Sequence, residues 1–249
     1  MAMPNVPVLF IHAFPLDARM WRPQVDAIGS ERRTLAPDLR GFGGKKGGAL
    51  PASIEQHARD LVDLLDRSTL PRAAVVGLSM GGYIAMAMHR LAPERIAGVL
   101  LADTKAGPDS PEVKSARNDR IQRLQREGVA FLPDAMLPGL VATGCAESTK
   151  LEVRRLILEQ DPLAVAAALG ALRDRLDSTP FLPSYRVPVT LVCGEHDTLT
   201  PPAVMLDMLA SIPGADFVLI PGAGHLANWE APDRFNEAMS VWLARVDAT

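Results

Sequence analysis

Gly77-Leu78-Ser79-Met80-Gly81 is the stretch whose residue types are suited to covalent chemistry. It follows the apolar run Ala73-Ala74-Val75-Val76 and precedes helical spacing at Tyr83, Ala87 and Arg90. A strand that reverses into a helix over so few residues leaves little room around its central residue. Glycines on either side remove the Cβ atoms that would collide. The Ser79 hydroxyl then stands out from the sheet, and the first N–H groups of the following helix face any negative charge that develops beside it. Such a serine is a weak nucleophile until an imidazole takes its proton, and the imidazole needs a carboxylate to fix its tautomer. An ordinary strand-to-helix turn with an incidental serine has the same local pattern. The chemical reading therefore requires the two partners downstream, the acid before the histidine.

The elements that would position these groups are legible. Apolar runs at 6–12, 33–36, 73–77, 96–102, 188–193 and 216–220 read as strands. Helical segments separate most of them. Trp21, Val25 and Ile28 share one helical face, and Ser53-Ile54-Glu55-Gln56 has the capping-box form. A last helix runs from about Pro232 to Ala244. This alternation predicts an α/β fold, a parallel sheet covered on both faces. Ligands of such sheets bind beyond the carboxyl ends of the strands. Ser79, Asp197 and His225 all follow strand ends, as do His12–Phe14 and Asp103.

Between about 107 and 183 the rhythm changes to helices alone, starting at Ser110-Pro111-Glu112 and continuing over 131–140, 149–159 and 162–176. The expected organisation is a core of 1–106 and 184–249 with a helical cap of 107–183 inserted between two strands. Arg117, Arg120, Arg123 and Arg126 alternate with Ile121 and Leu124 on the first cap helix; they could form a binding face, and a solvated helix surface is the leading reading.

Composition excludes several classes. The 249 residues are 48% hydrophobic and 22% charged, with a net charge of −3. That balance suits a globular domain with a substantial core and gives no basic footprint for nucleic acid. No apolar run approaches the length of a membrane span, and the first residues lack a signal-peptide pattern. Cys145 and Cys193 are the only cysteines, and Cys193 lies in an apolar run as a buried free thiol would. A cytoplasmic protein without a disulfide framework is expected. The glycine-rich stretch 40–48 lacks the Lys-Ser/Thr ending of a phosphate loop and reads as a surface loop. No His, Cys, Asp or Glu cluster has metal-ligand spacing.

Five motifs together resemble the alpha/beta hydrolases of the esterase, haloperoxidase and enol-lactonase branch. They are His12-Ala13-Phe14-Pro15-Leu16-Asp17, Pro37-Asp38-Leu39-Arg40-Gly41-Phe42-Gly43, Gly77-Leu78-Ser79-Met80-Gly81-Gly82, Gly194-Glu195-His196-Asp197 and Gly222-Ala223-Gly224-His225. The resemblance implies Ser79 as nucleophile, His225 as base and Asp197 as orienting acid. The backbone N–H groups of Phe14 and Met80 would form an oxyanion hole, with no cofactor and a small ester as the partner. Asp103 is the rival acid, His12 a support of the oxyanion loop, and His196 a loop residue. His57 and His89 read as surface or helix-packing residues. Trp21 and Trp229 are placed in either the pocket or the core, and Met136, Leu137 and Leu140 (with Val141) would shape an acyl pocket under the cap. The family usually has glycine where Ala13 stands, and commonly two strands before the first one here, so six strands are expected. The leading expectation is hydrolysis of small, mostly apolar esters. Lactone hydrolysis, perhydrolysis suggested by Pro15, and non-catalytic ligand binding are the alternatives.

Overall fold

In the computed structural model, which describes residues 5–45, 50 and 53–249, six strands pair side by side. They are β1 (Val8–Ile11), β2 (Thr34–Leu35), β3 (Ala73–Leu78), β4 (Ile96–Ala102), β5 (Val189–Gly194) and β6 (Asp216–Ile220). The order is β2-β1-β3-β4-β5-β6 and every pairing is parallel. Every residue of β1, β3, β4 and β5 is buried, so successive side chains on opposite faces are all covered. That explains why these segments read as continuous apolar runs.

The helices are α1 (Arg22–Ile28), α2 (Ile54–Arg67), α3 (Met80–Leu91), α4 (Pro111–Glu127), α5 (Leu132–Leu140), α6 (Glu147–Leu158), α7 (Pro162–Arg173), α8 (Pro202–Ser211), α9 (Ala227–Glu230) and α10 (Pro232–Asp247). Ser53 caps α2 by accepting the Gln56 N–H, as its sequence indicated. Helix α3 packs on α2 and on β1, β3 and β4, while α10 packs on α1 and on β4, β5 and β6. Gly98 of β4 leaves room for the close approach of α10. A Cβ there would stand 2.5 Å from the Val246 side chain. Helices α4 to α7 fill the chain between β4 and β5, and α4 lies along α7 while α5 lies along α6.

Of the glycine-rich stretch 40–48, Gly43–Lys45 form a short 3-10 turn tied to Asp38 and Gln160. Residues 46–48 lie outside the described residues. No helix among the described residues is long and apolar enough to cross a membrane.

Trp21 belongs to the core and not to a pocket. It is fully buried, with its ring 5.1 Å from that of Phe10 and 6.0 Å from that of Phe235. Its indole N–H has no hydrogen-bond partner among the described residues. Trp21→Ala is therefore expected to cost about 3–5 kcal/mol in urea denaturation. Trp21→Phe, which removes the unpaired donor as well as volume, should cost clearly less.

Candidate active site

The β3–α3 turn is held by two contacts that only glycine permits. A Cβ on Gly77 would stand 2.3 Å from the Gly81 carbonyl oxygen, and one on Gly81 would stand 2.0 Å from that of Ile11. Ser79 sits between them at φ 55°, ψ −113°, a conformation rare for a residue with a side chain. The Ser79 N–H donates to Ala102 of β4, and its carbonyl accepts the N–H groups of Gly82 and Tyr83. Thr104 adds a hydroxyl bond to the same carbonyl at 2.9 Å. The backbone of the serine is thus fixed on every side while its side chain lines a cavity of about 340 Å³.

The same cavity is lined by His225, Phe14 and Met80. The Met80 N–H belongs to the first residue of α3, where no intrahelical acceptor exists. The loop carrying Phe14 is anchored by His12. Its Nε2 accepts the Leu39 N–H at 3.0 Å, so Nδ1 carries the proton and donates to the Ala13 carbonyl at 3.0 Å. Burial lowers the His12 pKa, which suits a neutral ring in this role. Ala13 keeps a negative φ, so alanine is accommodated where glycine is usual.

His225 Nδ1 lies 2.8 Å from Asp197 Oδ2, across 28 residues of sequence. The other Asp197 oxygen accepts the N–H groups of Leu199 and Thr200 at 2.8 and 3.0 Å. The Thr200 hydroxyl donates to Oδ2 at 2.6 Å. Burial pushes the Asp197 pKa up, but the His225 bond and charge and the Thr200 bonds outweigh it, and the net shift is downward. Thr200 was missed by sequence reasoning. The available signal was its position three residues after an aspartate at the head of a turn.

Asp103, the rival acid, is also fully buried but does not reach the imidazole. It accepts the Gly194 N–H at 2.7 Å. Burial and the nearby Asp197 charge raise its pKa well above the carboxylate range. Asp103, Cys193 and Asp197 do converge, with ligand atoms within 4.8 Å of one another, a grouping that sequence spacing does not reveal. Both Asp197 oxygens are already committed to hydrogen bonds, so the trio is a poor donor set for a cation.

Of the residues expected to shape an acyl pocket, Met136 and Leu140 line the cavity, and Leu137, Trp21 and Trp229 do not. Leu137 and Trp229 pack against the core. His57 and His89 are buried, the latter stacked on Tyr185 at 3.8 Å, and His196 is exposed. The cationic face of α4 departs from expectation. Arg117 and Arg120 line the cavity with Lys105 and Asp109, so the wall is not merely apolar. The reason is that α4 lies along α7 and turns that face inward. Arg123 instead covers the Phe131 ring at 3.9 Å, and Arg126 is exposed.

A sheet of this order, a serine on a forced turn after its third strand and an Asp–His pair on loops after the last two define the class. Residues 8–238 match the alpha/beta hydrolase family, and the chain belongs to it. It is similar to a thermophilic esterase from Thermogutta terrifontis, solved with malate bound. The two are 39% identical with a TM-score of 0.94, covering 98% of this chain and 91% of that one. It is similar also to the enol-lactonase of Burkholderia xenovorans LB400, at 30% identity and TM-score 0.89 over 96% and 92% of the two chains. A provisionally named non-heme bromoperoxidase of Mycobacterium tuberculosis is 29% identical over 97% of this chain and 95% of its own.

Two measurements test this geometry. Gly81→Ala should destabilise the protein by about 3 kcal/mol or more in thermal or urea unfolding, because the new Cβ meets backbone that has no room to yield. For Asp197, a folded pKa below the ordinary 3.8 means that its stabilisation is complete above that value and lost as pH falls through the folded one. The stability gap between wild type and Asp197→Asn should therefore be widest near neutrality and close in strong acid.

Proposed function

We propose that the protein is a serine hydrolase that cleaves small carboxylic esters through an acyl-enzyme. The observation that carries this reading is the Asp197–His225 hydrogen bond at the margin of the cavity that Ser79 lines. With Asp197 on Nδ1, the imidazole keeps Nε2 free to accept a proton. The Ser79 oxygen attacks the ester carbonyl carbon as His225 takes its proton. The carbonyl oxygen becomes an oxyanion held by the N–H groups of Met80 and Phe14. Each such donor is worth roughly 3–4 kcal/mol. Collapse expels the alcohol, which receives the proton from His225. Water, deprotonated by the same imidazole, then releases the acid and restores Ser79.

In this reading residues 107–183 act as a cap over the serine, and Met136 and Leu140 contribute its apolar part. The esterase that the chain resembles at 39% identity supports this substrate class. Lactone hydrolysis is the second reading, favoured by the 30% identity to an enol-lactonase over nearly the whole chain. The bond cleaved is the same, with the leaving alcohol tethered to the acyl group.

An organophosphate should label Ser79, located by mass spectrometry of the digested protein. Ser79→Ala should lose on the order of 10⁶-fold in kcat towards p-nitrophenyl acetate. A label on another residue, or turnover that survives the substitution, would reject the proposal. A panel of alkyl esters, aryl esters and lactones compared by kcat/KM separates the two readings.

A further inference from the structure

A second cavity, of about 680 Å³, lies beside the one that Ser79 lines, and a seam divides them. Helix α5 forms one side of the seam. Ala135, Met136, Gly139 and Leu140 recur at helical spacing and face the Ser79 cavity. Pro138, with Val141 and Ala142 just past the helix end, faces the second cavity instead. The acid loop forms the other side and divides in the same way. Leu199 and Thr200 line the Ser79 cavity, whereas Asp197, Thr198 and Pro201 line the second. The two sides meet where the Leu199 side chain lies on the backbone of Gly139. A Cβ on Gly139 would stand 3.2 Å from Leu199 Cδ2 and 3.4 Å from its Cγ.

Both main chains at the seam are held. The Ala142 N–H donates to Glu230, the Leu226 N–H donates to the Leu140 carbonyl at 3.0 Å, and the Leu199 N–H donates to Asp197. The Leu199 side chain is not held in this way, for it is apolar yet 50% exposed. A change of its rotamer parts the seam and leaves the main chain where it is. The seam also adjoins the imidazole. The Thr200 hydroxyl lies 3.4 Å from His225 Nδ1, and Leu140 is bonded to the residue after the histidine. In acyl transfer the histidine returns its proton to the departing alcohol, so the alcohol oxygen must lie against the imidazole. The carbon chain on that oxygen is then the part of the ester nearest the seam. Beyond it, Pro138, Val141, Pro201 and Pro202 offer apolar surface, and the exposed Thr143 and His196 mark the solvent side. We infer that the second cavity is a subsite for the alcohol arm of the ester, entered past Leu199, and that the substrates include esters of medium-chain primary alcohols. This rests on the reading of Ser79 as the nucleophile and deepens it, with a short acyl group kept in the Ser79 cavity.

The test sets acetates of ethanol, butanol and octanol against ethyl esters of acetic, butyric and octanoic acids, followed by acid release. Wild type should prefer octyl acetate to ethyl acetate. Leu199→Trp, which fills the seam, should lower that preference in kcat/KM about 5- to 20-fold, chiefly through KM, as expected for a few methylenes shut out of apolar surroundings. Leu199→Ala should raise it. Both substitutions keep the N–H that Asp197 accepts. Thr143→Trp, at an exposed position on the far side of the second cavity, should lower the octyl preference and leave ethyl acetate turnover unchanged. The ratio of ethyl octanoate to ethyl acetate should stay within about twofold in all three variants. An octyl preference that neither tryptophan lowers overturns the inference, and so does an acyl series that shifts in place of the alcohol series. A ligand-observed NMR titration with 1-octanol needs no turnover. Weaker binding by Leu199→Trp and Thr143→Trp supports the subsite, and binding equal to wild type removes it. If no ester is hydrolysed while octanol binding still depends on these positions, the acyl-enzyme reading fails and the alcohol-chain site stands.

Discussion

The approach of Gly81 to the end of β1 is the constraint on which the site depends. With a Cβ position only 2.0 Å from the Ile11 carbonyl oxygen, no other residue fits without moving either α3 or the sheet. The contact brings the first turn of α3 against the strand that leads into the Phe14 loop. Residues from two separate elements, Phe14 and Met80, thereby border one cavity beside Ser79. Gly77 closes the other side of the same turn. The forced backbone of Ser79 is sustained because bonds to Ala102, Gly82, Tyr83 and Thr104 surround it.

Around that turn, burial alone does not decide the charge of a carboxyl group. Asp103 and Asp197 are both deeply buried and follow adjacent strands, yet their pKa values move in opposite directions. Asp197 gathers two amides, a hydroxyl and an imidazole, which together outweigh its desolvation. Asp103 is stabilised as an anion only by backbone amides, chiefly that of Gly194, and its burial and the neighbouring Asp197 charge outweigh them. Two carboxyl groups held apart in this way give one permanent anion beside His225 without mutual repulsion.

Much of this was legible in the sequence because it depends on local pattern. The doubly buried strands read as apolar runs, and all six lie where those runs stand, with no end displaced by more than two residues. The glycines of the turn and the order of Ser79, Asp197 and His225 were equally plain. What could not be read depends on how helices rotate against each other. The arginines of α4 show no local feature that separates an inward from an outward face, since that helix has few apolar residues to mark it. Trp21 illustrates the converse. An aromatic residue near a site motif is ambiguous until the ring contacts with Phe10 and Phe235 assign it to the core. The convergence of Asp103 with Cys193, likewise, follows from the parallel pairing of β4 with β5 and not from spacing along the chain.

Glu230 joins two parts of the molecule that serve different ends. One of its oxygens accepts the Gly224 N–H at 2.9 Å, just before His225, and the other accepts the Ala142 N–H at 2.7 Å, just beyond α5. The Leu226 N–H donates to Leu140 on the far side of the histidine. The imidazole loop is therefore stitched to the tail of α5 by two bonds, one of them through Glu230, which also holds Gly224. A displacement of that tail would drag the loop with it, whereas among the described residues no hydrogen bond ties α4 or α7 to the histidine loop. The α5 side of the Ser79 cavity is thus bonded directly to the histidine loop, and the arginine-bearing side is not.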